Sequence, residues 1–192
     1  MFLELLSQIR EAEPGTIAAV FQGYLLSQTA DSANWPSDTD VRAALLDLPL
    51  YKLLTRGRLR FVLEAIEDSM RNPLAENAHV EHNSLTIEHV LPQTWKTYWP
   101  LVGEVTIERE LERERLVHAI GNLTLVNQPL NSSLSNDPWE DKRSQIEANS
   151  VLFLNKDMLS TWGSEPWTET TITARGHALS DIVIGIWPRG TV

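Results

Sequence analysis

Two spacings of apolar residues alternate along this chain. Leu59, Val62, Leu63, Ile66 and Met70 recur at helical intervals, with Arg60, Glu64, Glu67, Asp68 and Arg71 between them. This predicts an amphipathic helix over 59–71. Asn72-Pro73 ends it, because the residue before a proline is pushed out of helical backbone. Upstream, Phe2, Leu5, Leu6 and Ile9 form a short stripe, and Glu13-Pro14-Gly15 breaks it. Thr16 then caps a run through Ile17, Val20, Phe21 and Leu25. Trp35-Pro36-Ser37-Asp38 reads as a loop, and Asp38 or Thr39 can cap a helix through Val41, Leu45 and Leu46 that Pro49 ends. Residues 77–84 read as a polar loop.

Downstream the period changes. Leu85–Leu91 and Asn122–Val126 are short and β-branched enough to be strands. Between them Glu108–His118 is dense in Glu and Arg at helical spacing and is stopped by Gly121. Asp137-Pro138 opens a helix through Trp139, Lys142, Arg143 and Ile146, with proline at its first position. A last helix carries Ile172, Leu179, Ile182, Val183 and Ile186 on one face. The order predicts an α+β fold, mostly α-helical, enclosing a ββα core with a short antiparallel two-stranded sheet. Residues 1–80 form a helical subdomain, 81–150 the ββα core and 151–192 a C-terminal helical cap, within one compact unit. The first stripe begins without a capping residue, so the chain is expected to be the C-terminal part of a longer protein.

The chain has 192 residues and no cysteine, which excludes disulfides and thiolate zinc sites. No apolar run approaches the ~20 residues of a membrane span, and the N-terminus has no signal-peptide n-region. A cytoplasmic protein with no membrane association is expected. The net charge is -10, whereas a domain that binds nucleic acid tightly by itself carries a basic face. Only Lys52, Arg56, Arg58 and Arg60 make a basic cluster, whose plain reading is a solvated loop and helix start. Any DNA affinity of this chain alone is expected to be weak.

The chemistry-bearing stretch is Ile87-Glu88-His89-Val90-Leu91-Pro92-Gln93, followed by Gly121-Asn122-Leu123-Thr124-Leu125-Val126 and then Asn131. Neighbouring strand residues face opposite ways, so Glu88 and His89 can share one site only at a strand end or bulge, and Pro92 fits such an end. Histidine titrates near ~6.5 and is the natural general base at neutral pH. An amide carbonyl such as that of Asn122 can hold its other ring nitrogen. A hard divalent ion wants oxygen ligands and keeps waters. Glu88 and Asn131 supply two such oxygens and leave positions open for a phosphate.

These motifs, with the downstream Ser-Asn-Asp-Pro-Trp-Glu-Asp-Lys, resemble the HNH, or His-Me finger, nucleases. Within them they resemble most the C-terminal domain of GmrSD-type modification-dependent restriction endonucleases. Trp35-Pro36-Ser37-Asp38, Leu48-Pro49-Leu50-Tyr51, the arginine-rich turn into the 59–71 helix and Ile186-Trp187-Pro188 extend the resemblance over roughly residues 33–188. It implies His89 as general base, Asn122 as the residue positioning it, and Glu88 and Asn131 as ligands of one magnesium or manganese ion. Glu88 stands where Asp is commoner, and Asn127 and Asn136 compete with Asn131. Lys142, Asn136, Arg58 and Arg60 are candidate substrate contacts. Many such nucleases hold a structural zinc on Cys-x-x-Cys pairs. This chain has none, so packing, with seven tryptophans, must hold its core.

The resemblance also implies double-stranded, possibly modified DNA as substrate and 5′-phosphate and 3′-hydroxyl products. The implied setting is prokaryotic defence, with an N-terminal sensor or NTPase domain or subunit as partner. The rivals are a catalytically idle DNA-binding or assembly module of the same fold, an RNase, and a helical interaction protein. His118 at a helix end and Arg175 read as structural. His82 reads as a coincidental repeat of the Glu-His pair, and His79 and His177 as exposed.

Overall fold

Two short strands divide the core. A computed structural model of the chain describes residues 2–30, 32–71 and 82–190. Strands β1 (Leu85–His89) and β2 (Leu123–Asn127) pair antiparallel, with Glu88 opposite Thr124 and His89 opposite Leu123. Leu85, Leu123 and Leu125 belong to one hydrophobic cluster, with Leu59, Leu63, Ile66, Leu152, Leu154 and Leu179. Val126, on the alternate face, belongs to a second, with Leu130, Leu134, Trp139, Ile146 and Met158. The sheet is therefore buried on both faces, and its β-branched and leucine residues suit that.

Helices wrap both faces. Before β1 come α1 (Phe2–Glu11), α2 (Ile17–Leu26), α3 (Asp38–Asp47), α4 (Leu50–Leu53) and α5 (Arg56–Ser69). Between the strands lie α6 (Trp95–Tyr98) and α7 (Ile107–Val117). After β2 follow α8 (Gln128–Leu134), α9 (Trp139–Asn149), α10 (Phe153–Trp162) and α11 (Glu169–Ile186). The fold is α+β and mostly helical, with the ββα order β1, β2, α8 at its centre. Among the described residues no helix is long and apolar enough to cross a membrane.

Local chemistry moves several boundaries. Ser37, rather than Asp38 or Thr39, caps α3. Its hydroxyl accepts from Asp40 N at 3.1 Å, and the Asp40 carboxylate accepts from Ser37 N at 3.0 Å, a reciprocal box. Thr55 caps α5, so that helix starts at Arg56, ahead of its apolar stripe. Strand β1 stops at His89 rather than Leu91. Asn122 lies in the 3-10 turn Ile120–Asn122, not on β2. Pro138 occupies the capping position of α9, one residue before its expected place. The stop at Asn72-Pro73 and most of the expected 77–84 loop lie outside the described residues, and 82–84 form one 3-10 turn.

The turn before β2 is held against α11 by close backbone approach and by a buried cation. A Cβ added at Gly121 would overlap the carbonyl oxygen of Ile172. Arg175, fully buried, donates through Nη1 to the carbonyls of Gly121 and Leu123 at 2.8 Å each. Burial pushes its pKa down to about 10. Arg175 is thus structural, as its sequence context suggests, and it works on backbone carbonyls rather than a carboxylate. Three tryptophans, Trp95, Trp139 and Trp167, are buried in the core. Gly121→Ala should lower the urea midpoint of unfolding by the equivalent of about 1–3 kcal/mol, the range for overpacking a tight site. An unchanged midpoint would mean that α11 can move away freely.

Candidate active site

His89 is the last residue of β1, and its ring is 6% exposed. Strand alternation turns it away from Glu88, onto the side of α4 and α5. Tyr51 of α4 meets it edge-on at 4.3 Å between ring centroids. His118, at the C-terminal cap of α7, stands T-shaped to it at 5.4 Å and stacks on Tyr51 at 5.9 Å. Arg56 places its guanidinium 3.3 Å from the centroid of the Tyr51 ring. Tyr51 N also donates to the carbonyl of His118 at 3.1 Å. Nε2 of His89 is buried without a hydrogen-bond partner among the described residues.

This surrounding holds the imidazole neutral. Desolvation first, then the charges of His118, Lys142 and Arg56, push its pKa from 6.5 to about 3. His118 is lowered as well, mainly by burial. Beside the pair, Tyr51, Arg56, Gly57, Arg60, Leu85, Thr86 and Ile87 line a groove of about 370 Å³. Arg58 is exposed on α5, and Arg60 lies 2.9 Å from Glu64.

Glu88 lies on the opposite face of β1, where α9 packs. Lys142 of α9, 0% exposed, donates to Glu88 Oε1 at 2.6 Å and to the carbonyl of His89 at 2.9 Å. Burial raises the Glu88 pKa and lowers that of Lys142, and their mutual attraction opposes both shifts. Lys142, expected at a phosphate, is instead enclosed in the core. Asn131, inside α8 rather than at the turn before it, donates to Thr86 Oγ1 at 2.7 Å, and among the described residues no hydrogen bond engages its Oδ1. Its competitors are occupied elsewhere. Asn127 Oδ1 caps α8 by accepting from Leu130 N at 2.9 Å, and Asn136 Oδ1 accepts from Thr94 Oγ1 at 2.6 Å.

Asn122 is fully buried, and its amide is spent on backbone and indole groups, not on the His89 ring. Oδ1 accepts from Leu91 N at 2.8 Å and Trp167 Nε1 at 3.0 Å. Nδ2 donates to the carbonyls of Leu91 at 2.8 Å and Val117 at 2.9 Å. Its own carbonyl accepts from Val90 N at 3.0 Å. It thus grips the two residues that follow His89.

The structure therefore gathers Glu88, Asn131 and Lys142 on one face of β1 and His89 on the other, with Asn122 fixing the chain between. Among the described residues no group of three or more His, Cys, Asp or Glu is placed to hold a metal. Tyr51, Arg56 and His118 surround His89 without any local sequence pattern that joins them to it. The Leu48-Pro49-Leu50-Tyr51 motif and the basic cluster were the only signals for the first two. His82 pairs with Asp68 at 3.1 Å on the surface of α5, and His79 lies outside the described residues.

A model of the family described as GmrSD restriction endonucleases, C-terminal domain, matches residues 35–182. No curated protein and no solved structure matches the chain.

The buried imidazole carries a pH signature. Folded, His89 stays neutral down to about pH 3, whereas unfolded it takes a proton below 6.5. Between these values the unfolded state binds more protons, so stability is full above 6.5 and declines as pH falls towards 3. Urea midpoints measured against pH should fall less steeply in His89→Gln, with a residual slope from His118. Equal slopes in both proteins would place the acid sensitivity elsewhere.

Proposed function

The chain belongs to the family of GmrSD restriction endonuclease C-terminal domains, and from that premise we propose that it is a metal-dependent DNA endonuclease or nickase domain of HNH type. Its substrate is double-stranded, possibly modified DNA, and its setting is a prokaryotic restriction system in which an N-terminal sensor or NTPase domain or subunit finds the target. The observation that carries the reading is the neutral His89 imidazole at the end of β1, with Nε2 unpartnered, beside a groove edged by Arg56 and Arg60.

In this reading the scissile phosphate lies along the groove, with Arg60 and the exposed Arg58 steering the backbone. His89 takes the proton of the attacking water, which requires the side chains that cover its buried Nε2 to move aside. A phosphate there would offset the charge of Arg56, the smallest of the influences that lower His89, while burial, the largest, remains. Asn122 keeps His89 in place through the backbone of Val90 and Leu91 rather than by touching the ring. The reading also calls for a magnesium or manganese ion, which would supply Lewis-acid chemistry when bound. Of its two expected ligands Asn131 has a free Oδ1, but Glu88 is already committed to the Lys142 ammonium, so the arranged pair does not fit a shared ion.

The decisive assay incubates supercoiled plasmid and a structured RNA with the protein, with manganese, magnesium or EDTA, beside His89→Ala. Low ionic strength is essential, since a chain of net charge -10 binds DNA weakly at higher salt. Metal-dependent nicking reduced about 10²–10⁴-fold in His89→Ala is expected for a lost general base. Nicking that survives the substitution would remove His89 from the mechanism, and cleavage confined to RNA would change the substrate class.

A further inference from the structure

Lys142 is a cation with no surface. Its side chain is 0% exposed, on a helix anchored by the buried Trp139 and Ile146. A phosphate contact requires an ammonium that reaches solvent. This one spends its donors inward, on Glu88 Oε1 and on the main-chain carbonyl of His89. The two acceptors belong to consecutive residues whose side chains leave β1 on opposite faces. One ammonium therefore fixes both the carboxylate on the α9 side and the peptide from which the His89 ring projects on the α5 side.

The same geometry bears on the ion. A divalent ion bound by Glu88 would sit about 2.0–2.6 Å from its oxygens. The Lys142 Nζ already lies 2.6 Å from Oε1. Two cations would then share one carboxylate in a buried setting, where like charges repel strongly. Moving Lys142 aside would leave an ammonium unpaired in the core, which is costly.

We infer that Lys142 is a positioning residue that serves as the counter-ion of Glu88 and anchors the backbone of His89, and that Glu88 is not a ligand of the divalent ion. The part concerning His89 rests on the nuclease reading above. The pairing and the exclusion of the ion do not, so the measurements below separate the two.

Glu88→Gln, Lys142→Met and the double variant of the full chain should be compared in four ways. Each single substitution should lower the melting temperature by on the order of 10 °C, since each strands one buried charge, and the double variant should recover most of that loss. Manganese affinity, read from the electron paramagnetic resonance of free Mn²⁺, should change less than twofold in Glu88→Gln. The imidazole carbon-proton NMR signal of His89, assigned with His89→Gln, should shift in Lys142→Met. In cleavage, Lys142→Met should lower turnover tenfold or more with KM and the salt dependence of DNA binding unchanged. Additive losses in the double variant would overturn the pairing. So would a tenfold loss of manganese affinity in Glu88→Gln, which would return Glu88 to the metal. A salt slope reduced by about one in Lys142→Met would make that residue a phosphate contact instead. If the single variants do not fold, the neutral double variant still decides the ion: normal manganese binding supports the inference and its loss overturns it.

Discussion

The amide of Asn122 is the bond set on which the rest of the centre hangs. A side-chain amide offers two donors and two acceptor positions, and this one, fully buried, uses all four. Its partners come from the exit of β1, the end of α7 and the approach to α11. Buried polar groups must be matched or they destabilise the fold. The three segments consequently have one arrangement that leaves nothing unpaired. His89 inherits its position from that requirement, because the chain on its C-terminal side is clamped at Val90 and Leu91. An aspartate here would lose two donors, and an apolar residue would orphan four groups.

Buried charges do a related task in three other places. Lys142 bridges a carboxylate and a carbonyl, Arg175 serves two carbonyls beside Gly121, and Glu67 accepts from the N–H groups of Phe153 and Leu154 at the start of α10 at 3.0 and 2.7 Å. Glu67 also pairs with Arg71. Such groups add little net stability compared with a well-packed apolar alternative, but they penalise any arrangement in which they lack partners. Each ties an element to another distant in sequence: α9 to β1, α11 to the turn before β2, and α10 to α5. In a chain with no cysteine, and so no disulfide or thiolate zinc site, these contacts and the packed tryptophans take the place of covalent staples.

What the sequence disclosed follows from where its information lies. The helix around Leu59–Met70 and the two strands were legible because burial of one face imposes a period, and the period is written locally. Asn122 and Asn131 were singled out differently, by their place in a motif that the family resemblance supplies. Helix α8 was not legible, since seven residues, Gln128–Leu134, hold too few apolar positions to show a period, and its cap, Asn127, reads equally well as a ligand. Helix α10 was overlooked although its cluster of apolar residues is present, because the carboxylate that satisfies its first N–H groups comes from Glu67. The partners of the site were the least visible. Lys142 lies 54 residues from Glu88, and nothing in local sequence reports that one neutralises the other. Tyr51 and His118 meet His89 only through the packing of α4 and α7 on the sheet.

Strand β1 is five residues long, yet it separates two chemistries. On one side stand a lysine, a carboxylate and an amide; on the other, two imidazoles, a phenol ring and the arginine groove. Side chains alternate at every residue, so the partition depends on count as much as on composition. Losing or gaining one residue between Leu85 and His89 would send the imidazole into the Lys142 compartment and the carboxylate towards Tyr51, with every residue type still present. The length of this strand is therefore itself a structural parameter, and drift in this segment has room for substitution but none for a change of phase.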